Sequence, residues 1–191
     1  EFERPAPAVF TEFDNQSHEI TRPSTSFPPT GSGLACTANI MHGNGVILRL
    51  FNAKITQNGT PLPPPGGSQV HNFSETATGE ISLDGGVTFT AWRGQCVGAC
   101  QVSSSLDHGS ARYFDTEMLA LNLSGGSLPA GCMIRESPTK QSLGRTSIRT
   151  MPNGQHGIAS FFDVFTECSL DNGMTWSPVE EAPSVFGFDP V

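Results

Sequence analysis

At 191 residues the chain is long enough for one large β domain or two small ones, with a real core. Only 15% of its residues are charged, while Gly (21) and Pro (15) are abundant and Phe (13) far outnumbers Trp (2) and Tyr (1), a profile of short strands and many turns that excludes long helices. The formal net charge of −8 excludes a footprint for nucleic acid or an anionic membrane, and the apolar runs Gly43–Phe51 and His156–Phe162 are too short to span a bilayer.

Residues 1–33 read as an extended N-terminal arm, polar and punctuated by Pro, with too little apolar surface to hold itself in place. Val9, Phe10 and Phe13 stand out as its apolar anchors, to be seated in a groove of the same chain or of a neighbouring subunit. From residue 34 to 191 we expect one β-sandwich, immunoglobulin-like or jelly-roll-like. Ala35–Ile40 and Val46–Thr56 are its first strands, joined at His42–Gly45, and Gln57–Gly67 (QNGTPLPPPGG) is a loop that tolerates neither strand nor helix.

An internal repeat follows. Residues 65–92 align without gaps on residues 152–179, placing Glu80–Phe89 (EISLDGGVTF) over Glu167–Trp176 (ECSLDNGMTW). The shared pattern comprises Ser82, Asp84, Gly86, Thr88 and Phe89 in one copy, and Ser169, Asp171, Gly173, Thr175 and Trp176 in the other. Its mechanics are those of a turn: short oxygen-bearing side chains accept backbone N–H groups, Gly supplies a positive φ, and the aromatic plugs the strand base. Both copies resemble the Asp-box of sialidases and other β proteins, where the motif is a structural turn.

Further along, Phe114–Leu123 sets Leu119, Leu121 and Leu123 against Met118 and Ala120. Cys132–Arg135 and Thr146–Arg149 are short strands separated by the loop Glu136–Gly144. In Ile158–Leu170, alternation places Ile158, Phe162, Val164, Cys168 and Leu170 on one face and Phe161 and Phe165 on the other.

Catalytic grammar is thin. Tyr113 lies near Arg112 and Asp115, but a sialidase propeller needs many more blades than this length permits. His18, His42, His71, His108 and His156 are scattered and read as solvated or turn-bonded. Cys96 and Cys100 lack the partners of a zinc site, and each Gly/Asp turn has too few carboxylates for calcium, so no metal or cofactor is expected. The five Cys, low Lys content and Asn/Thr/Ser/Gly texture indicate a secreted chain in an oxidising compartment, and N-x-S/T tripeptides occur at Asn15, Asn58, Asn72 and Asn122.

Phe114–Leu123 (FDTEMLALNL), Met133–Pro138 (MIRESP) and Ser160–Glu167 (SFFDVFTE) together resemble a β-rich module of exported, uncharacterised bacterial surface proteins of planctomycete-like lineages that carry a sorting signal. The likeness covers about residues 110–179 and implies a cell-surface or matrix location with no enzyme activity. Cys132 and Cys168 stand where that module is expected to carry aliphatics; against it, a Cys132–Cys168 pair is implied, with Cys36 joined to Cys96 or Cys100. The functional expectation is a non-enzymatic extracellular structural protein, a filament or matrix subunit whose Ala8–Phe13 segment adds as a donor strand to the next copy, head to tail. A carbohydrate-binding or adhesive β-sandwich, with glycans as partners and Trp92, Trp176 and Tyr113 as its platform, is the alternative.

Overall fold

The computed structural model describes residues 20–22, 33–36, 38–57, 60–180 and 183–189, which form strands and no helix. In order these are β1 (Ile20–Arg22), β2 (Gly33–Cys36), β3 (Ile40–Met41), β4 (Ile47–Gln57), β5 (Ser68–Ser82), β6 (Thr90–His108) and β7 (Ala111–Ser124). They continue as β8 (Met133–Glu136), β9 (Ser142–Thr150), β10 (His156–Val164), β11 (Thr166–Ser169), β12 (Ser177–Pro178) and β13 (Ser184–Asp189). The assigned arm, with Val9, Phe10 and Phe13, lies outside the described residues except for β1 and Gly33, the first residue of β2.

Antiparallel pairing runs in chain order. β2 and β3 both pair with β4, then β4 with β5, β5 with β6 and β6 with β7. β7 is long enough to pair with β9 along its first part and β8 along its last, and these pair in turn with β10 and β11. β10 pairs with β13, and β11 with β12. The ring closes twice: β13 pairs with β2, while Val179 bridges His42, flanked by Gly43 N–H donating to Pro178 O and Glu180 N–H to Met41 O, both 2.9 Å. The wall is therefore an up-and-down barrel of eight staves, four of them made of two strands: β2/β3, β8/β9, β10/β11 and β12/β13.

The all-β expectation holds, but the wall is a closed barrel in place of the expected sandwich. Two sheets would have to face each other across a core, whereas here the last stave hydrogen-bonds to the first. β6 supplies a local reason for the curl. Its inward positions run Trp92, Gly94, Cys96, Gly98, Cys100 and Val102, and the Phe73 ring lies where a Cβ on Gly98 would stand.

Inside, Phe51 packs against Trp92 (ring centroids 5.7 Å apart) and edge-on against Phe186 (5.1 Å), and Phe114, Met118 and Phe162 are buried with them. Outward positions such as Asn72, Gln95 and Asn122 are exposed and polar. No helix among the described residues is long and apolar enough to cross a membrane.

Several local expectations shift for identifiable reasons. Leu119 is 44% exposed while Met118, Leu121 and Leu123 point inward, because the pairing of β7 with β6 skips a residue between Met118 and Ala120 and the bulge resets the alternation. β9 begins at Ser142, inside the expected 136–144 loop, because Ser142–Gly144 pair with Thr116–Met118. Leu170 is exposed: β11 ends at Ser169 and the chain enters its turn.

Candidate functional site

The repeat folds into two equivalent turn modules, each built where one strand leaves the wall. In the first, Ser82 Oγ donates to Asp84 Oδ1 (2.7 Å) and accepts from Gly86 N–H (2.8 Å). Asp84 then accepts from Thr88 N–H (2.9 Å) and the Thr88 hydroxyl (2.6 Å). In the second, Ser169 Oγ donates to Asp171 (2.7 Å) and accepts from Gly173 N–H (2.9 Å), and Asp171 accepts from Thr175 N–H (2.9 Å) and its hydroxyl (2.6 Å). Gly85 and Asn172 occupy the same left-handed step, at φ 69° and 58°, the conformation Gly and Asn adopt most readily. These bonds favour the ionised carboxylates. Thr175 and its neighbours hold Asp171 at about 2, and Thr88 and its neighbours hold Asp84 lower still.

The equivalence extends beyond the aligned segment. Arg49 pairs with Glu80 (2.6 Å) and lies over the Phe89 ring at 3.6 Å; Arg135 pairs with Glu167 (2.7 Å) and lies over the Trp176 ring at 3.9 Å. In each module the Arg and Glu are direct partners across antiparallel strands. Ile47 lies under Gly86 as Met133 lies under Gly173. All ten predicted turn residues thus come together as two structural units, and Arg49, Glu80, Arg135 and Glu167 complete them. The signal in sequence was Glu at the head of each motif, and only strand pairing adds the Arg.

Among the cysteines, all five are buried free thiols. Cys132 and Cys168 meet: their side chains hydrogen-bond to each other, and this contact lowers the Cys132 thiol and raises that of Cys168. The expected link of Cys36 to Cys96 or Cys100 is not made. Cys36 donates to Ala38 O (3.7 Å), Cys96 hydrogen-bonds Glu75, and Cys100 donates to Gln101 O (3.4 Å).

The barrel interior carries polar groups that the sequence reading missed. Glu75 is 1% exposed, with Oε1 lacking a hydrogen-bond partner among the described residues, and burial raises its carboxyl to about 7. His42 and His71, expected to be solvated or turn-bonded, are buried as well. His42 Nε2 lies 3.0 Å from Thr166 Oγ1, and burial lowers its ring to about 4. The available signal was alternation: once Phe73 and Ala77 are read as inward, Glu75 and His71 must face inward too.

Other candidates disperse. Arg112 binds Asp107 (3.3 Å) and Pro63 O (2.8 Å), while Asp115 pairs with Arg145 (3.2 Å). Of the aromatic platform, Trp92 is buried and Trp176 is covered by Arg135 and donates to Gly173 O (3.0 Å). No metal-ligating cluster of three or more side chains occurs among the described residues. Asn72 and Asn122 lie exposed on the outer wall, and Asn15 and Asn58 lie outside the described residues.

The described part of the arm has a defined place. β1 runs antiparallel to the start of β10, pairing Ile20 with Ile158, Thr21 with Gly157 and Arg22 with His156. β13 pairs further along β10, at Phe161–Val164, so β1 continues its line where that pairing stops. Compared with known proteins, the chain matches no family model, no curated protein and no solved structure.

Proposed function

We propose that this chain is a non-enzymatic, exported structural subunit that assembles head to tail, its arm entering as an added strand beside β10 of a neighbouring copy. The observation behind this reading is the β1–β10 pairing, made here within one copy. A closed barrel removes strand edges, and the backbone of His156–Ile158 is a stretch of wall completed by a segment from outside the eight staves. A three-residue strand makes the same contacts whether it comes from its own chain or another. By length alone, the stretch from Arg22 to Gly33 can reach at most roughly 36–40 Å. Exchange between copies therefore costs little locally and is favoured by concentration. Such a contact does not close on itself, so it propagates. The likeness of residues 110–179 to exported surface modules supports the extracellular address.

The test mixes two single variants, Arg22→Cys and His156→Cys, whose positions are direct partners. Donation between copies yields disulfide-linked heterodimers in the mixture, and removal of residues 1–22 reduces the assembly to folded monomers by light scattering. No heterodimer, together with unchanged particle size after the deletion, would sink the reading.

A further inference from the structure

We propose that Cys132 and Cys168 are a disulfide-forming pair that locks β8 to β11 beneath the second turn module. The argument starts from the two modules. Cys168 occupies the place of Ile81, one residue before the motif serine in each copy. Cys132 precedes Met133 as Val46 precedes Ile47, and Met133 and Ile47 make equivalent contacts under their turns. Val46, Ile81, Cys132 and Cys168 are all buried. Two apolar side chains in one half of the barrel are thus matched by two thiols in the other.

Geometry agrees. Cys168 pairs directly with Ile134 and Ser169 with Met133, which sets Cys132 diagonally across the same face. The two thiols are already hydrogen-bonded to each other. Competing pairs are disfavoured. Cys96 and Cys100 lie on one strand, separated by roughly 13 Å of extended chain, beyond the reach of a bridge. One bridge leaves three thiols.

The chemistry is thiol–disulfide exchange with a disulfide oxidant, either a small-molecule disulfide or a disulfide-bearing oxidoreductase. Cys132, whose thiol is lowered by its neighbour, loses its proton and attacks one sulfur of the oxidant, forming a mixed disulfide and expelling the other sulfur as thiolate. Cys168 then loses its proton and displaces the remaining oxidant sulfur from Cys132. The new S–S bond takes two electrons and two protons from the pair, and the oxidant leaves as two thiols. Because both sulfurs are buried, exchange occurs while the chain folds or when β8 opens locally, and the closed bond is shielded from reductant.

The experiment incubates the reduced chain with oxidised glutathione, quenches it, alkylates it in denaturant, and maps non-reduced peptides by mass spectrometry. One cross-link joining the Cys132 and Cys168 peptides is expected, with Cys36, Cys96 and Cys100 alkylated. Closing a loop of roughly 35 residues lowers the unfolding constant on the order of several hundred-fold relative to the reduced chain. Cys132→Val with Cys168→Ile, the residues of the first half, should fold and lose all dependence of stability on the oxidant. A cross-link involving another cysteine, no cross-link in the folded chain, or a double variant that keeps the oxidant dependence would each overturn the assignment.

Discussion

The two turn modules have nearly the same hydrogen bonds but different surroundings. In the first, the Arg49–Glu80 pair is about a third exposed on each side; in the second, the Glu167 side chain is only 11% exposed and also accepts from Ser137 Oγ at 3.1 Å. The aromatic is Phe89 in one and Trp176 in the other, and the wall beneath is Val46 and Ile81 in one and Cys132 and Cys168 in the other. The inner wall differs too. Glu75 on β5 occupies the repeat position that Phe162 holds on β10, so a buried carboxyl faces the lumen in one half and a ring in the other. A short local code therefore builds the same turn twice, while the ground it stands on diverges.

The largest expected effect concerns Glu75. Its carboxyl titrates near 7 in place of 4.5 because the ionised form is desolvated. The native state therefore holds a proton that the unfolded chain gives up, and stability falls as pH rises from about 4.5 to 7, then levels off. Glu75→Gln should raise stability at pH 8 by about 2–3 kcal/mol and change little below pH 4.5, measured by urea denaturation across that range. His42 acts in the opposite sense. Its ring, lowered from 6.5 to about 4, costs stability as pH falls through that window. Glu136, raised likewise to about 7 chiefly by burial, adds to the Glu75 slope, so the parent chain should still lose stability between roughly pH 4.5 and 6.5, and Glu75→Gln should leave that window nearly flat. An unchanged pH profile would show that Glu75 is not desolvated.

Next in size is the contrast between the two Arg–Glu pairs. Arg135→Ala strands a largely buried carboxylate and should cost about 2–3 kcal/mol, whereas Arg49→Ala should cost less than about 1. Equal losses would mean that exposure does not distinguish the modules. Ser82→Ala and Ser169→Ala should each cost about 1–2 kcal/mol, because each buried hydroxyl satisfies a glycine N–H and an aspartate. Unequal losses would break the equivalence itself. The smallest effect belongs to the first half alone. Leu50 sits at φ 53° in the β4 bulge with its side chain exposed, so Leu50→Gly should stabilise by about 1 kcal/mol in thermal melts.

Much of this was legible and some was not. The turn residues were readable because their bonds run over two to four positions, within reach of local sequence. β5 and β6 went unrecognised although they pair along fourteen residues. The outward row of β5 is Val, Asn, Ser and Thr, and the inward row of β6 is largely Gly and Cys, so neither presents a hydrophobic alternation. The small residues of β6 make sense only opposite rings such as Phe73, which come from another strand. His71 and Glu75 were hidden for the same reason.

Composition and local pattern by themselves determined the all-β class, the turn chemistry of Ser82–Phe89 and Ser169–Trp176, and the duplication that relates them, because those properties reside in backbone propensity and short-range hydrogen bonds. Tertiary structure alone decided that the staves close into a barrel, that Arg49 and Arg135 cap the aromatics, and that Glu75 faces inward. Each of those depends on which strand lies beside which, and strand pairing joins residues whose separation along the chain carries no local signal.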